Sequence, residues 1–406
     1  MRTESPYTLD QKTIETVKAT VPVLAEHGEA ITKHFYQRLF EAHPELKNIF
    51  NMTNQRAGRQ SKALAGAVYA AAAHIDNLSE IFPAVNQIAE KHRSLNVRPE
   101  HYPIVGKYLL IAIKEVLQDA ATPDIMEAWE EAYGVIAQAF IDVEAAKYKD
   151  AEGQTGGWSG FRNFTIDKKV QESNVITSFY LKAEDGKPIA SFRPGQYITV
   201  KIDIPGEKFT HLRQYSLSDA PDKGYYRISV KREDGLEDNP DGVVSNYLHQ
   251  ELKEGDILPI TAPAGDFFLE EDSDAPLVLI SGGVGLTPMM SMLQRMKDVE
   301  TDRDVYFIHA AQNEDVHAFK EDVRQAAERM KSCQSKVIYS EPLENGTADK
   351  EGVIELEWLR SIAPGSADFY FCGPTGFMKA VNHMLKEWGI PEERINFEFF
   401  GPKQEI

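Results

Sequence analysis

Cysteine is almost absent. Only Cys333 and Cys372 occur in 406 residues, which excludes a disulfide framework and fits a reducing cytosol. Positive charge is also scarce. Lys and Arg number 44 against 63 Asp and Glu, a formal net charge of −19. That excludes a general nucleic-acid binder, which needs a basic face, and it disfavours docking on anionic lipid. No apolar run reaches the length of a membrane span, so stable membrane insertion is not expected. The opening MRTESPYTLDQK has no apolar signal-peptide core. Internal repeats and low-complexity tracts are missing as well. What is present is ordinary for a globular protein, 42% hydrophobic and 26% charged, at a length that suits two or three domains. The expectation is a cytoplasmic monomer.

Residues 1–150 read as helix after helix. Thr8 or Asp10 can cap a first helix through Ile14, Val17 and Val21, with Pro22 near its end or bending it. A second carries Ile31, His34, Phe35, Leu39 and Phe40. Residues 56–75 are rich in Ala and Leu, and there Gln60 and Leu64 are i, i+4 neighbours. In the next helix Val85, Ile88, Ala89 and His92 share one stripe, apolar except for the imidazole. A buried imidazole needs a partner. A carbonyl or another side chain would serve, and so would a metal on one ring nitrogen with the other held by a hydrogen bond. His74, also after an apolar face, is the rival. Pro99 and Pro103 break the chain before IVGKYLLIAIKEVL, and Pro123 opens a last long helix through Trp129, Tyr133, Phe140 and Glu144. With no convincing strand, this region is expected to be an all-α bundle.

Residues 151–160, AEGQTGGWSG, form a glycine-rich joint. From 161 to 268 the pattern turns to short apolar runs, NVITSFYLKA, QYITVKIDI, YYRISVKR and DILPITAP, which predict an antiparallel β-barrel. Tyr197 follows a Pro-Gly turn. RQYSLS is a short strand on which Arg213 and Tyr215 share a face and Ser216 points the other way. Gly242 and Ser245 open a helix, a suitable place for a phosphate. The acidic EDGLEDNPDG is a long loop. From 269 to 406, PLVLISGGVGLTPMMSMLQRM reads as strand, glycine loop and helix, and DVYFIHAA, KVIYS and ADFYFCGP as further strands, giving an open α/β sheet with ligands at its strand ends. Gly282, Gly283 and Gly285 let backbone approach a phosphate, and Pro288 suits a first helical turn. No ribose-reading acid or phosphate-reading arginine stands out after DVYFIHAA, so NADH and NADPH both stay open, with a lean to NADH.

The runs PELKNIFNMTNQRAGRQ, IAEKHRS, HYPIVGKYLL and EAYGVIAQAFIDVEAAKY, in this order, resemble the globin domain of the flavohemoglobins. RQYSLS, GVGLTP, FYFCGPTGFM and FEFFGP resemble the flavin and nicotinamide halves of the ferredoxin-reductase-like superfamily. The resemblance implies three domains: an all-α globin domain, an FAD-binding β-barrel and an NAD(P)H-binding α/β domain. It implies heme b, with iron on His92, FAD and NAD(P)H as cofactors. By the same match Phe50 packs on the heme face, and Tyr36, Gln60 and Leu64 form the distal pocket. Tyr102 and Glu144 hold the proximal histidine, while Lys91 and Glu398 tune the heme and flavin. Tyr197, Arg213, Gln214, Tyr215, Ser216 and Ser245 correspond to FAD contacts. Gly283, Val284, Gly285, Leu286, Thr287 and Pro288 form the nucleotide loop, and Cys372 lies near the nicotinamide. Phe399, Phe400, Gly401 and Pro402 form the C-terminal FAD contact, with Phe399 standing where the family often has a cysteine.

The implied activity is nitric oxide dioxygenase. Electrons pass from NAD(P)H through FAD to heme, whose bound O2 oxidises nitric oxide to nitrate. Flavin suits the middle position because it accepts two electrons and releases them singly. Two alternatives stay open: a heme-containing reductase acting on other acceptors, and a sensor that binds O2 or NO.

Overall fold

The computed structural model describes residues 8–52, 55, 58–235, 241–344 and 346–401, and these form two compact units. The first comprises Met1–Gly153 with Lys201–Leu212, and the second Gln154–Val200 with Arg213–Ile406. Pro402, part of the loop EDGLEDNPDG and part of NMTNQRAG lie outside the described residues.

The first unit is helical. Its helices are α1 (Gln11–Ala19), α2 (Val21–Ala42), α3 (Arg59–Ala73), α4 (Phe82–Ser94), α5 (His101–Leu117) and α6 (Pro123–Gly153). Asp10 caps α1 by accepting from the Thr13 N–H at 2.9 Å. Pro22 neither ends nor bends a helix; it sits in the first turn of α2. Pro103 likewise lies inside the first turn of α5 rather than ahead of it. Both follow from one fact: the first N–H groups of a helix have no intrahelical acceptor, so a proline there loses nothing. Helix α2 packs on α3 and α5, and α6 on α1, α4 and α5. The shared core includes Ile31, Phe35, Leu39, Ile113 and Trp129, all under 3% exposed.

The first sheet has six strands: β1 (Arg162–Gln171), β2 (Ile176–Ala183), β3 (Tyr197–Ile202), β4 (His211–Ser216), β5 (Tyr226–Lys231) and β6 (Ile257–Ile260). Their order is β4-β3-β6-β1-β2-β5. Leu217, just past β4, pairs with Ile228 of β5, so the two edge strands meet and the sheet closes into a barrel. The sequence reading missed β1, which lies in the middle of this sheet. Its charged run Asp167–Lys169 hides the alternation, and at the register shift there Asp167 and Lys168 are exposed while Phe164 and Ile166 stay fully buried. Between β5 and β6 lies a short helix, α7 (Val243–Gln250).

The second sheet is parallel, in the order β10-β9-β8-β7-β11-β12. Its strands are β7 (Leu277–Gly282), β8 (Val305–Ala311), β9 (Cys333–Tyr339), β10 (Lys350–Glu351), β11 (Asp368–Cys372) and β12 (Ile395–Glu398). Helices α8 (Leu286–Asp298), α9 (Lys320–Arg329), α10 (Leu356–Ile362) and α11 (Thr375–Trp388) connect them. Leu277 and Leu279 join one core with Met289 and Val323; Val278 and Ile280 join another with Leu359 and Val381. The sheet is therefore covered on both faces, which explains why β7 reads as an unbroken apolar run. Strand order reverses between β7 and β11, the point where open sheets of this kind take their ligands. Among the described residues no helix is long and apolar enough to cross a membrane.

Candidate functional site

His92 lies in the last turn of α4. Val85 and Ala89, two and one turns back, are 3% and 0% exposed, so the stripe faces inward as its periodicity requires. The imidazole Nδ1 is 2.7 Å from Glu144 Oε1 on α6. The Tyr102 hydroxyl, on α5, donates to the same oxygen at 2.5 Å and stands 3.3 Å from Nδ1. Three helices thus converge on one carboxylate oxygen. Glu144 keeps 3% of its side-chain surface and His92 33%. The Nδ1 side of the imidazole is thus held by Glu144 and Tyr102, and the ring remains partly exposed. Burial, and then the Glu144 charge, push the Tyr102 hydroxyl far above its ordinary range, so it stays a donor. The Tyr133 hydroxyl, in turn, donates to the Tyr102 carbonyl at 2.6 Å. Its ring crosses α5 at Gly106, where a Cβ would come 2.3 Å from the ring. Tyr133 was not singled out from sequence. Its spacing reads as amphipathic packing, and nothing local marks it as the support of Tyr102.

On α2, Tyr36 is 8% exposed and packs edge-on against Phe50 at 5.7 Å between ring centres. Burial raises its hydroxyl well above the ordinary tyrosine value, opposed by a hydrogen bond with the Gln55 side chain. Gln55 is therefore a residue that meets this hydroxyl in the structure; a glutamine five residues before Gln60 carries no pattern that would set it apart. Gln60 and Leu64 sit half-buried on α3, with Leu64 against the same core as Phe50. His74 ends α3 and pairs with Glu80 at 2.8 Å, partly exposed, which answers its rival claim as a buried ligand. Lys91 is half-buried beside His92. Behind them Glu90 bridges Arg93 and Lys147 at 3.1 and 2.9 Å, fastening α4 to α6.

These residues fit a heme. A single histidine with one nitrogen fixed from behind and its other side open meets the need for one axial ligand and an exchangeable face. No group of three or more His, Cys, Asp or Glu residues suited to a bare metal ion occurs among the described residues.

In the barrel, Arg213, Gln214 and Tyr215 are half-buried on β4 and Ser216 is 7% exposed. Burial disfavours the Arg213 charge, a penalty that a neighbouring phosphate would offset. Tyr215 is held protonated by burial. Tyr197 exchanges both backbone bonds with Ala264, and its ring lies over Gly265, where a Cβ would come 2.9 Å from it. Ser245 accepts from the Glu233 N–H and donates to the Gly242 carbonyl, both at 3.1 Å, so its hydroxyl fixes the loop entering α7.

At the switch point, Gly283–Gly285 make a single 3₁₀ turn and Leu286, Thr287 and Pro288 begin α8. The Thr287 hydroxyl donates to the Val284 carbonyl at 3.2 Å. A Cβ on Gly285 would lie 2.2 Å from the Cys372 carbonyl oxygen, so the turn and the end of β11 are in backbone contact. Gly283 has φ +53. The next strands along this edge bring Ser281, Cys372 and Glu398 into register. Burial, then the Glu398 charge, push the Cys372 thiol well up and leave it an uncharged, packed group. Phe399 stands beside Phe397, Phe400 is 46% exposed and Gly401 follows with φ +145. Backbone N–H groups at a glycine turn leading into a helix suit a dinucleotide pyrophosphate.

Comparison with known proteins agrees in each part. Family models for globin, oxidoreductase FAD-binding domain and oxidoreductase NAD-binding domain match residues 33–140, 163–269 and 279–383. The flavohemoprotein of Halalkalibacterium halodurans is 57% identical over 403 residues, 98% of either chain. That of Bacillus subtilis is 54% identical over 400 residues, 97% of this chain and 98% of its own. A crystal structure of flavohemoglobin from Malassezia yamatoensis with bound FAD and heme superposes with a TM-score of 0.83 at 29% identity, covering 97% of this chain and 100% of that one. The FAD/NAD-binding domain of nitric oxide dioxygenase from Vibrio cholerae is 39% identical, with a TM-score of 0.55, over 59% of this chain and 99% of that one. The protein is accordingly an oxidoreductase with heme, FAD and NAD(P)H as cofactors, passing electrons from NAD(P)H through FAD to heme. With such identity over nearly its whole length, the chain belongs to the flavohemoprotein family.

Proposed function

We propose that the protein is a nitric oxide dioxygenase that removes nitric oxide as nitrate, in the cytoplasm and as a monomer, with O2, NO and NAD(P)H as its small-molecule partners. The observation that carries this reading is the Glu144 carboxylate behind His92. A carboxylate accepting from the outer imidazole nitrogen makes the ring a stronger electron donor, which favours oxygen activation over reversible storage. Heme, when bound, supplies the iron at which one O2, one NO and one electron combine to nitrate, with NAD(P)H and FAD as the electron source.

The chain's own groups divide the remaining work. His92 would supply the nitrogen ligand to the heme iron. Glu144 keeps the imidazole oriented and Tyr102 keeps Glu144 oriented, since both bonds end on one oxygen. Tyr36, held protonated by burial, would offer a hydrogen-bond donor to a ligand in the heme pocket, with Phe50, Gln60 and Leu64 shaping that pocket. Lys91 and Glu398 tune the heme and flavin. Tyr197, Arg213, Gln214, Tyr215, Ser216 and Ser245 hold FAD together with the Phe399–Gly401 segment, while the turn from Gly283 to Pro288 and Cys372 take the nicotinamide coenzyme.

The test is nitric oxide consumption in aerated buffer with NADH, using protein loaded with heme and FAD. Rapid loss that stops without oxygen and yields nitrate supports the proposal. His92→Ala then abolishes consumption while NADH still reduces the flavin. If nitric oxide persists as NADH is oxidised, the dioxygenase reading fails and another electron acceptor is the physiological one.

A further inference from the structure

A buried polar junction joins the barrel to the helices of the parallel sheet, within one compact unit. Its centre is Arg227 on β5, 4% exposed. The guanidinium donates from Nε to the Ser218 hydroxyl at 3.2 Å and from Nη2 to the Ser218 carbonyl. Nη1 stands 3.8 Å from Asp219 Oδ2, and 3.6 Å from Asp322 Oδ2 in the first turn of α9. The ring of Phe319, just before α9, covers the guanidinium at 4.7 Å. Phe319 is buried with φ +62, a left-handed conformation uncommon for an aromatic residue. Such strain persists only where the surroundings over-determine it, and this ring is held between Arg227 and the sheet's core. Two more contacts cross at Asp219. The hydroxyl of Ser291, fully buried on α8, donates to the Asp219 carbonyl at 2.8 Å. Lys223 bridges Asp219 at 2.9 Å and Asp298, the last residue of α8, at 3.2 Å. Burial works against the Asp219 charge, but Arg227 and Lys223 outweigh it and hold the carboxyl below its ordinary value.

The role of the junction follows from what it connects. Asp219 lies three residues past Ser216, at the end of the strand proposed to hold FAD. Helix α8 begins at the glycine turn proposed to hold the coenzyme. We propose that Arg227 and Ser291 are positioning residues for hydride transfer: they lock the end of β4 against α8 and so set the distance from nicotinamide to flavin. Both side chains are engaged inside the junction and act through Asp219 rather than on a cofactor. Hydride transfer is steep in geometry, and a displacement of about 1 Å costs on the order of 100-fold in rate. The division of labour between polar and apolar contacts supports this. Val175 and Ile176 of the barrel share a core with Met289, Phe319 and Val323, and that burial supplies adhesion. Apolar faces can slide over one another, whereas hydrogen bonds and ion pairs hold in one register. A buried ion pair is a weak source of stability, and fixing register is its best-attested use.

The inference rests on the FAD and coenzyme sites proposed above and not on nitric oxide, so its test stops at the flavin. Anaerobic stopped-flow measures reduction of the holoprotein's flavin by NADH and by NADH deuterated at the transferred position. Calorimetric titration with ADP-ribose, FAD content and melting temperature are measured beside it. Arg227→Lys should lower the rate constant at saturating NADH about tenfold or more. Ser291→Ala, which removes one hydrogen bond, should lower it about threefold. In both, ADP-ribose affinity and FAD content should match the wild type, and the deuterium isotope effect should rise as hydride transfer becomes more limiting. Ser291→Thr keeps the hydroxyl and should restore most of the rate. Unchanged saturating rates in Arg227→Lys and Ser291→Ala overturn the proposal. So does a loss confined to ADP-ribose affinity or FAD content, which would make the junction part of a binding site or of the fold alone. Should Arg227→Lys fold poorly, the two Ser291 variants still decide. A wild-type flavin that neither NADH nor NADPH reduces would overturn the coenzyme site and this proposal together, whereas absence of nitric oxide turnover alone touches neither.

Discussion

The histidine site of the helical unit and the glycine turn of the nucleotide-binding sheet are built by opposite means. At His92 the geometry is carried by side chains: an imidazole, a carboxylate and a phenol from three helices meet on one oxygen, and the backbone beneath them is regular helix. At Gly285 the geometry is carried by backbone. The turn lies against the Cys372 carbonyl with no room for a methyl group, and its N–H groups are what it offers to a ligand. The first arrangement can lose a functional group and keep its fold. The second cannot be altered without moving a strand end.

The largest effect that sharpens this contrast is expected from Gly285→Ala. The new Cβ would lie 2.2 Å from the Cys372 oxygen and 2.4 Å from its carbon, both backbone atoms. Overpacking of this kind costs about 3 kcal/mol or more. The melting temperature should fall clearly and flavin reduction by NADH should be lost, while heme content stays normal. Gly283→Ala is the control. Nothing lies within 4 Å of its Cβ position, so it carries only the strain of its φ of +53, about 1 kcal/mol. If the two variants behave alike, steric contact is not what fixes the turn.

Much of this was legible beforehand, and the limits follow the same division. Helical stripes, alternating strands and the apolar run of β7 are local patterns, and each gave its element. His92, Tyr102 and Glu144 were legible because their residue types lie at matching places along the chain. Strand β1 was not, since its charged middle breaks the period of two and only the barrel's register shift explains it. Prolines 22 and 103 were read as breakers because proline's cost depends on whether its N–H would have been used, a question of helix position that sequence leaves open. Gln55 and Tyr133 act through partners 19 and 31 residues away, and no local signal marks such pairs.

The sheet side also predicts a pH dependence of stability. His309 on β8 and His317 beyond it are 1% and 6% exposed, with ring centres 4.6 Å apart. Ser281 bonds His309 Nδ1 at 2.8 Å and the Tyr339 hydroxyl bonds His317 Nδ1 at 2.7 Å. Burial, then Lys320, bring His317 down from 6.5 to about 4, with Glu314 opposing, and His309 falls well below its ordinary value. The unfolded chain therefore binds protons first. The contribution of His317 is whole above pH 6.5 and is lost as pH falls toward 4, a change of about 3 kcal/mol. Urea midpoints measured from pH 7 to 5 should decline, and His317→Gln should flatten the decline. An equal slope in the variant would mean that the imidazole pair is not its source.

The smallest effect is expected from Glu144→Gln, and it tests the other half of the comparison. The amide fits the same space and can still accept from His92 Nδ1, so the fold, heme content and melting temperature should match the wild type. What it removes is the negative charge behind the imidazole. Losing such an outer partner costs 10- to 100-fold in activity as an order of magnitude. The expected signature is a lower rate of nitric oxide consumption with NADH-to-flavin reduction unchanged, and a more positive heme midpoint potential, since the charge stabilises the oxidised iron. A variant that consumed nitric oxide at the wild-type rate would show that the carboxylate only orients the ring, and the push attributed to it would have to come from elsewhere. A variant that lost heme or unfolded would show that the side-chain site, too, is part of the fold, and the contrast with Gly285 would collapse.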